Sequence, residues 1–277
     1  MLTDPIADIP VGRLKRAHIL DFRQRVLDAK GPGVANRALS ARKCCLREGY
    51  FREELSRDPC LGVGRINIQR REVGTFTADE LRMLFPAEGI GPWHDWQDYT
   101  AFIIAATCGL RRSEILALCW EHVDFENKLI RVEQSFKFKI ETLGLPKWGK
   151  VRATPLPSRT AKALKDLRSE SLHVLPGSFV FCYPDGTRLG GTWWADAFTR
   201  TMKAARIDAK TRNLKPHSFR HTLATILADK GQQPEKIRAA LGWSNETTQS
   251  GYTHWGATDL NGQAAIIDGL LSEPEGG

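Results

Sequence analysis

Six residues spread over more than half of the chain have side chains suited to reaction at a phosphodiester. They are Arg111, Lys147, His217, Arg220, Trp243 and Tyr252. Arginine, histidine and tryptophan side chains can donate hydrogen bonds to phosphate oxygens. A lysine ammonium can protonate a departing hydroxyl, and a tyrosine phenol can attack phosphorus when its neighbours activate it. The set therefore predicts cleavage of a nucleic-acid strand without a metal ion.

Each member of this set also has an ordinary structural explanation. His217 and Arg220 are three positions apart, which places both on one face of a predicted helix, but a solvated helix face has the same spacing. His217 and His221 have the four-residue spacing of a zinc-protease helix. That motif requires glutamate directly after the first histidine, where this chain has Ser218, so we exclude zinc hydrolysis.

The remaining members are equally ambiguous when each is taken alone. Arg111 follows a Gly-Leu pair at a predicted helix start, and Glu114 could orient it by a charged hydrogen bond, but any capped helix can carry such charges. Lys147 is in a Pro-Lys-Trp-Gly loop, where lysine commonly serves solubility. Tyr252 follows a polar stretch, whereas a lone tyrosine is usually half-buried packing.

The order and flanks of these residues resemble the catalytic domain of the tyrosine recombinases, the phage integrase family, over residues 76–256. The resemblance rests on Cys-Gly-Leu-Arg-Arg-Ser-Glu-Ile-Leu-Ala-Leu, Pro-Lys-Trp-Gly-Lys with Arg-Ala-Thr-Pro-Leu, His-Ser-Phe-Arg-His-Thr, and Leu-Gly-Trp-Ser followed by Tyr-Thr-His. It implies a site-specific DNA recombinase that cuts and rejoins strands through a 3′-phosphotyrosine bond, with no metal, ATP or other cofactor.

The resemblance also implies a role for each residue. Arg111 and Arg220 would clamp the phosphate, Lys147 would be the general acid, and Tyr252 the nucleophile. His217 and Trp243 would donate further hydrogen bonds to the phosphate. Many family members have histidine where this chain has Trp243, and an indole N–H can donate a hydrogen bond but cannot exchange protons. Two alternatives stay open: a type IB topoisomerase that relaxes supercoils, and a DNA-binding regulator without catalysis.

The distribution of charge predicts a polyanionic partner. The chain of 277 residues has a formal net charge of +8, and 15 of its 40 Lys and Arg but only 9 of its 32 Asp and Glu lie in the first 74 positions. A basic N-terminal region could grip a DNA backbone, although solubility is the simpler explanation. The candidate contacts are Arg37, Arg42, Lys43, Arg65, Arg70 and Arg71.

Hydrophobic patterning predicts a mainly α fold with a small antiparallel β-sheet, an α+β protein in two parts. Residues 1–61 are predicted to form a partial helical core-binding domain that clamps DNA, because residues 11–60 resemble the later part of that domain in the family. Two helices are too few to complete it. Residues 62–75 read as a basic linker and 76–260 as the catalytic domain. Residues 261–277 form a tail helix that either folds back or docks onto a neighbouring protomer.

Helices are predicted at about 11–29, 34–55, 77–85, 99–107, 111–120, 158–171, 192–206, 216–230, 234–241 and 261–271. A capping box at Thr77 and Glu80 marks the third of these. Strands at 128–134 and 152–156 would pair across a loop at about 144–150, and 178–182 could form another short strand.

The remaining features concern location and partners. Six cysteines without CxxC spacing indicate reduced thiols, and no apolar run approaches the ~20 residues that span a bilayer. We expect a cytoplasmic protein associated with the nucleoid rather than with membranes. The expected partners are double-stranded DNA, three further copies of the chain in a homotetramer on DNA, and accessory DNA-bending proteins.

Overall fold

The computed structural model describes residues 4–69, 72–146, 149, 151–242 and 257–272. It divides into two compact units, Met1–Arg71 and Glu72–Gly277, and the division falls inside the segment predicted to be a linker. Helices with small antiparallel sheets make up the described chain, which confirms the predicted α+β class.

The N-terminal unit is built around two helices that pack on each other, α1 (Arg16–Lys30) and α2 (Pro32–Phe51). Gly31, with φ of 80°, makes the sharp connection between them, and the proline at the first position of α2 suits a helix start. The first predicted helix was too long at its start, because Val11–Arg13 forms a separate 3₁₀ turn. The core of this unit comprises Ile6, Leu14, Ile19, Phe22, Leu39, Cys60 and Val63.

Residues 62–66 belong to this unit because polar side chains hold their backbone. Arg16 and Arg23 donate to the carbonyl oxygens of Gly62 and Gly64 at 3.0 and 2.7 Å. The Asn36 amide both donates to the Ile66 carbonyl, at 2.8 Å, and accepts from the Ile66 N–H, at 2.9 Å. The first part of the predicted linker is therefore packed on α1 and α2.

The C-terminal unit contains eight α-helices within the described residues. These are α3 (Ala78–Leu84), α4 (Trp96–Thr107), α5 (Arg112–Ile115), α6 (Ser158–Glu170), α7 (Gly191–Ala204), α8 (Ser218–Asp229), α9 (Pro234–Leu241) and α10 (Ala257–Leu271). The predicted capping box is confirmed, since the Thr77 hydroxyl accepts from Glu80 N and the Glu80 carboxylate accepts from Thr77 N.

A three-stranded antiparallel sheet lies between the helices, in the order β1 (Val123–Asp124), β2 (Leu129–Val132), β5 (Arg152–Pro155). Leu129 is opposite Pro155 and Val132 opposite Arg152, which confirms the predicted pairing. A second hairpin, β3 (Ser135–Lys137) with β4 (Thr142–Gly144), was not predicted. It packs beside α5, where the Arg112 guanidinium lies 4.2 Å from the centre of the Phe138 ring.

In the C-terminal unit, the helix predicted over 111–120 and the strand predicted over 178–182 both differ from the structure. The helix expected over 111–120 ends at Ile115, because the chain beyond it bonds to residues 178–180 instead. Trp120 N donates to Ser178 O at 3.1 Å, and Val180 N donates to Leu118 O at 2.9 Å. Residues 178–182 accordingly form isolated β-bridges, Cys119 with Phe179 and Cys182 with Arg188, rather than a strand.

The core of this unit is centred on α4, whose residues from Asp98 to Thr107 are all buried. Phe102 stacks on Trp194 of α7 at 4.0 Å, and Phe219 of α8 stacks on Phe76 at 4.3 Å. Because Phe219 is fixed in this core, its neighbours on α8 are fixed as well.

The last helix, α10, packs on its own unit, against α3, β5 and α6. Ile267 and Leu271 are buried, and the Asp268 carboxylate accepts from the N–H of Ser158 at the start of α6, at 3.0 Å. In the described chain, α10 lies folded back on its own unit. Among the described residues, no helix combines the length and apolar character needed to cross a membrane.

Candidate phosphate-binding site

Arg111 is positioned by the turn between α4 and α5. Gly109 has φ of 64°, and a Cβ at this position would lie 2.2 Å from Leu241, so the turn needs glycine for both its conformation and its close approach to α9. Arg111 N donates to the Glu114 carboxylate at 2.8 Å, and the Arg111 guanidinium donates to the same carboxylate at 2.8 Å. These two hydrogen bonds have the geometry that the orienting role predicted for Glu114 requires.

Arg220 lies one residue after the anchored Phe219 and is almost completely buried. Its guanidinium donates to the carbonyl oxygens of Gly109 and Leu241. Arg220 thus ties the α4–α5 turn to the end of α9, and its charge is held in a nearly dry environment.

The end of α9 is where the arginines meet. Ala240 O accepts from Arg152 at 3.2 Å, Leu241 O accepts from Arg220, and Gly242 O accepts from Arg111 at 2.6 Å. A helix C-terminus leaves such carbonyls without partners in the helix and carries partial negative charge, which favours cations. Gly242 closes the helix in the left-handed conformation, with φ of 60° and ψ of 43°.

Arg152, at the start of β5, is a residue of this cluster that the sequence interpretation did not assign. It donates to both oxygens of Glu114, at 3.0 and 2.7 Å, in a two-pronged ion pair. One signal could have found it: alternation along the predicted strand puts Arg152 and the buried Thr154 on one face, toward the α4–α5 turn. Thr154 donates to Cys108 O in that turn, at 2.9 Å.

The cluster has three cations and one carboxylate. Burial opposes ionisation of Glu114, but hydrogen bonds and charge from Arg152, together with Arg111, outweigh it and lower its pKa to about 2. Burial, and then repulsion from Arg111 and Arg152, lowers the pKa of Arg220 to about 9. An excess of buried positive charge is the electrostatic condition for binding an anion such as phosphate.

His217 lies at the N-cap of α8 rather than inside the helix, and its ring makes an edge contact with His221 at 4.9 Å. Partial desolvation, followed by the charges of His221, Arg220 and Arg111, lowers the pKa of His217 to about 4. The free protein therefore has a neutral His217 at pH 7. The structure brings His217 close enough to Arg111 and Arg220 for their charges to act on its ring.

The other three predicted catalytic residues, Lys147, Trp243 and Tyr252, lie outside the described residues. The described chain reaches Pro146 before the first of them and Gly242 before the second.

The candidate DNA contacts of the N-terminal unit are partly engaged within the protein. The Arg42 guanidinium lies 3.9 Å from the centre of the Phe22 ring, Lys43 donates to Val63 O, and Arg65 donates to the Ser40 hydroxyl at 3.2 Å. Arg37 is exposed on α2, whereas Arg70 and Arg71 lie outside the described residues.

One group could offer ligands to a cation. His94, Asp95 and Asp98 each have a ligand atom within 4.8 Å of the others. The two carboxylates already have structural roles, because Asp95 accepts from Asp98 N at the start of α4 and Asp98 pairs with Arg200 at 2.5 Å. We assign this group to helix capping and ion pairing.

The sequence matches the phage integrase family over residues 75–258. It is similar to a tyrosine recombinase XerC-like protein of Caldanaerobacter subterraneus, at 29% identity over 238 residues, and to tyrosine recombinase XerC of Pseudomonas fluorescens, at 27% over 241. The first alignment covers 75% of this chain and 57% of the relative, and the second covers 85% and 74%. The chain thus spans little more than half of the first relative.

Solved structures share the fold. The Tn1549 transposon integrase in complex with a circular intermediate DNA has a TM-score of 0.73 at 18% identity, over 88% of this chain and 82% of that one. A lambda integrase tetramer bound to a Holliday junction has a TM-score of 0.63 at 14% identity, over 90% and 70%.

Proposed function

Because the chain belongs to the phage integrase family, we propose that it is a site-specific DNA recombinase that cuts and rejoins strands through a 3′-phosphotyrosine intermediate. The observation that supports this most directly is the cluster of Arg111, Arg152 and Arg220 around one carboxylate. A phosphate placed there would meet a preorganised excess of positive charge in a site with little water.

In this proposal, Arg111 and Arg220 stabilise the charge that develops on the phosphate as Tyr252 attacks. Arg111 is the more accessible of the two, with 21% of its side chain exposed, so it would contact the phosphate first. His217, neutral at pH 7, and Trp243 each donate one N–H to the phosphate oxygens.

Lys147 protonates the departing 5′-oxygen, which leaves as a 5′-hydroxyl. The phosphotyrosine bond conserves the energy of the broken phosphodiester. The free 5′-hydroxyl of a partner strand then attacks that bond, releases Tyr252 and completes the exchange, so ATP is not required.

Trapping tests the proposal. Nicked duplexes from the flanks of the gene lose the 5′-hydroxyl fragment after cleavage, so a covalent protein–DNA adduct accumulates on a denaturing gel. We expect an adduct that forms in EDTA. Loss of the adduct in EDTA would reject the metal-free step, and no adduct on any fragment would favour a DNA-binding regulator.

The reaction products distinguish a recombinase from the remaining alternative, a type IB topoisomerase. A recombinase joins strands from two duplexes, whereas a topoisomerase only relaxes a supercoiled plasmid.

We further propose that four copies assemble on DNA with the help of DNA-bending proteins, in the cytoplasm at the nucleoid. The mass of the protein–DNA complex tests the number of copies. Recombination assays with and without a bending protein test the need for that protein, and imaging of a fluorescent fusion tests the location.

A further inference from the structure

The Arg152 side chain is bound inside the cluster rather than directed to solvent. Only 9% of it is exposed, against 21% for Arg111. Its two terminal nitrogens bind the two oxygens of Glu114, and its Nε donates to Ala240 O. With all three nitrogens holding protein groups, Arg152 is placed to act on neighbours rather than on a substrate.

Glu114 transmits any movement of Arg152 to Arg111. The same two carboxylate oxygens that accept from Arg152 also accept from the backbone and side chain of Arg111, at 2.8 Å each. A buried carboxylate held at both oxygens by a planar guanidinium has one orientation. Without Arg152, Glu114 would keep only the Arg111 contacts and could rotate with it.

A second route runs through the end of α9. Arg152 holds Ala240 O, two positions before the Gly242 carbonyl that accepts from Arg111. A Cβ at Gly242 would lie 3.1 Å from the Arg152 guanidinium, so the side chain packs closely on this turn. Arg152 therefore supports both groups that fix the Arg111 guanidinium.

We propose that Arg152 is a positioning residue for strand cleavage, which sets Arg111 through Glu114 and through the end of α9. The proposal rests on the proposed function and adds a residue that does not touch the phosphate. Displacing a catalytic group by about 1 Å can reduce a rate about 100-fold, so loss of Arg152 should act on the cleavage rate and leave DNA affinity nearly unchanged.

The experiment measures adduct formation rate and DNA affinity separately for wild type, Arg152→Gln, Arg152→Lys and the control Arg159→Gln. Arg159 is partly buried and donates to Phe85 O at 2.8 Å, away from the cluster, so it reports the general effect of losing such an arginine. We expect Arg152→Gln to cleave about 100-fold more slowly with unchanged affinity, and Arg159→Gln to cleave normally. Arg152→Lys should recover only part of the rate, because an ammonium cannot hold both carboxylate oxygens in the plane of a guanidinium.

A double-mutant cycle tests the route through Glu114. If Arg152 acts through Glu114, the pair Arg152→Gln with Glu114→Gln should cleave no more slowly than the slower single variant. Arg152→Gln should also lose activity at acidic pH where wild type does not, because Glu114 loses the partner that keeps its pKa low.

Three results would overturn the proposal: additive losses in the cycle, affinity that falls in step with rate, or an Arg152→Gln rate equal to wild type. The last result, with a normal wild-type adduct, rejects the positioning role alone. Absence of an adduct from wild type rejects the proposed function and the positioning role with it. Circular dichroism of Arg152→Gln verifies that the variant is folded before rates are compared.

Discussion

Arg111 donates a 2.6 Å hydrogen bond to the carbonyl oxygen of Gly242, 131 positions further along the chain. The bond joins the start of α5 to the end of α9. Since Arg220 and Arg152 bind the two carbonyls before it, the end of α9 is a shared support for three arginines.

Gly242→Ala should reduce both stability and cleavage. The left-handed conformation costs an L-residue about 1–2 kcal/mol, and the added methyl would crowd Arg152 at 3.1 Å. Gly231→Ala is a matched control, because Gly231 has φ of 75° and nothing within 4 Å of its Cβ position. Chemical denaturation should show that the strained backbone lowers the free energy of unfolding in both variants. Adduct assays should show that only Gly242→Ala cleaves slowly. Equal cleavage by the two variants would contradict a role for this turn.

Glu114→Gln should destabilise the protein at pH 7. The folded pKa of about 2 lies below the usual 4.5, so ionised Glu114 contributes stability above pH 4.5 that is lost as pH falls toward 2. The shift corresponds to about 3 kcal/mol. Denaturation midpoints should fall at pH 7, and the decline below pH 4.5 should be shallower than in wild type. Glu133→Gln, which removes an exposed pair with Arg131, should change stability by less than about 1 kcal/mol.

DNA affinity should depend on the protonation of His217. Its pKa of about 4 in the free protein leaves it neutral at pH 7, and a bound phosphate would raise that pKa. Binding would then take up a proton, so affinity should increase as pH falls from about 7 to about 5. In His217→Gln this part of the pH dependence should disappear, whereas exposed His94→Gln should retain it. An identical pH profile for wild type and His217→Gln would exclude the linkage.

Arg220→Ala should reduce the cleavage rate by about 100-fold to 1000-fold or more, the size of effect seen when one charge-stabilising donor is removed. Arg220→Lys should not restore it, because an ammonium lacks the planar fork that reaches the carbonyls of Gly109 and Leu241 together. Single-turnover trapping on nicked DNA measures both. Near-normal cleavage by Arg220→Lys would show that charge alone suffices.

Tyr252→Phe should bind DNA normally and form no covalent adduct, because only the attacking oxygen is removed. Gel-shift and denaturing-gel assays on the same nicked fragment compare the two properties. Tyr183→Phe, an exposed tyrosine elsewhere in the same unit, serves as the control and should form adduct at the wild-type rate. Adduct at normal yield from Tyr252→Phe would reassign the nucleophile.

Local signals predicted what local interactions determine. Thr77 and Glu80 cap α3 through bonds between residues three apart, and the alternating strand at 129–132 pairs where expected. The helix over 111–120 was overextended because hydrogen bonds from Trp120 and Val180, made between distant segments, replace the helical ones. Such tertiary bonds leave no periodic pattern in the sequence.

In the candidate site, too, local signals predicted some residues and missed one that depends on long-range contacts. Motif order predicted Arg111, His217 and Arg220 as site residues, and the spacing of Glu114 from Arg111 predicted the ion pair between those two. Arg152 was missed because its importance lies in a carboxylate 38 positions before it and a carbonyl 88 positions after it. No short motif contains all three groups.

The bonds from Arg111, Arg152 and Arg220 to α9 also set an order for synthesis on the ribosome. The α9 carbonyls are the last of these partners to leave the exit tunnel, so the three guanidiniums have no partner there until residues 240–242 have emerged. Long-range contacts of this kind form late in folding, after the loops between them have closed. A nascent chain that ends before α9 therefore lacks the carbonyl oxygens that hold the three guanidiniums together.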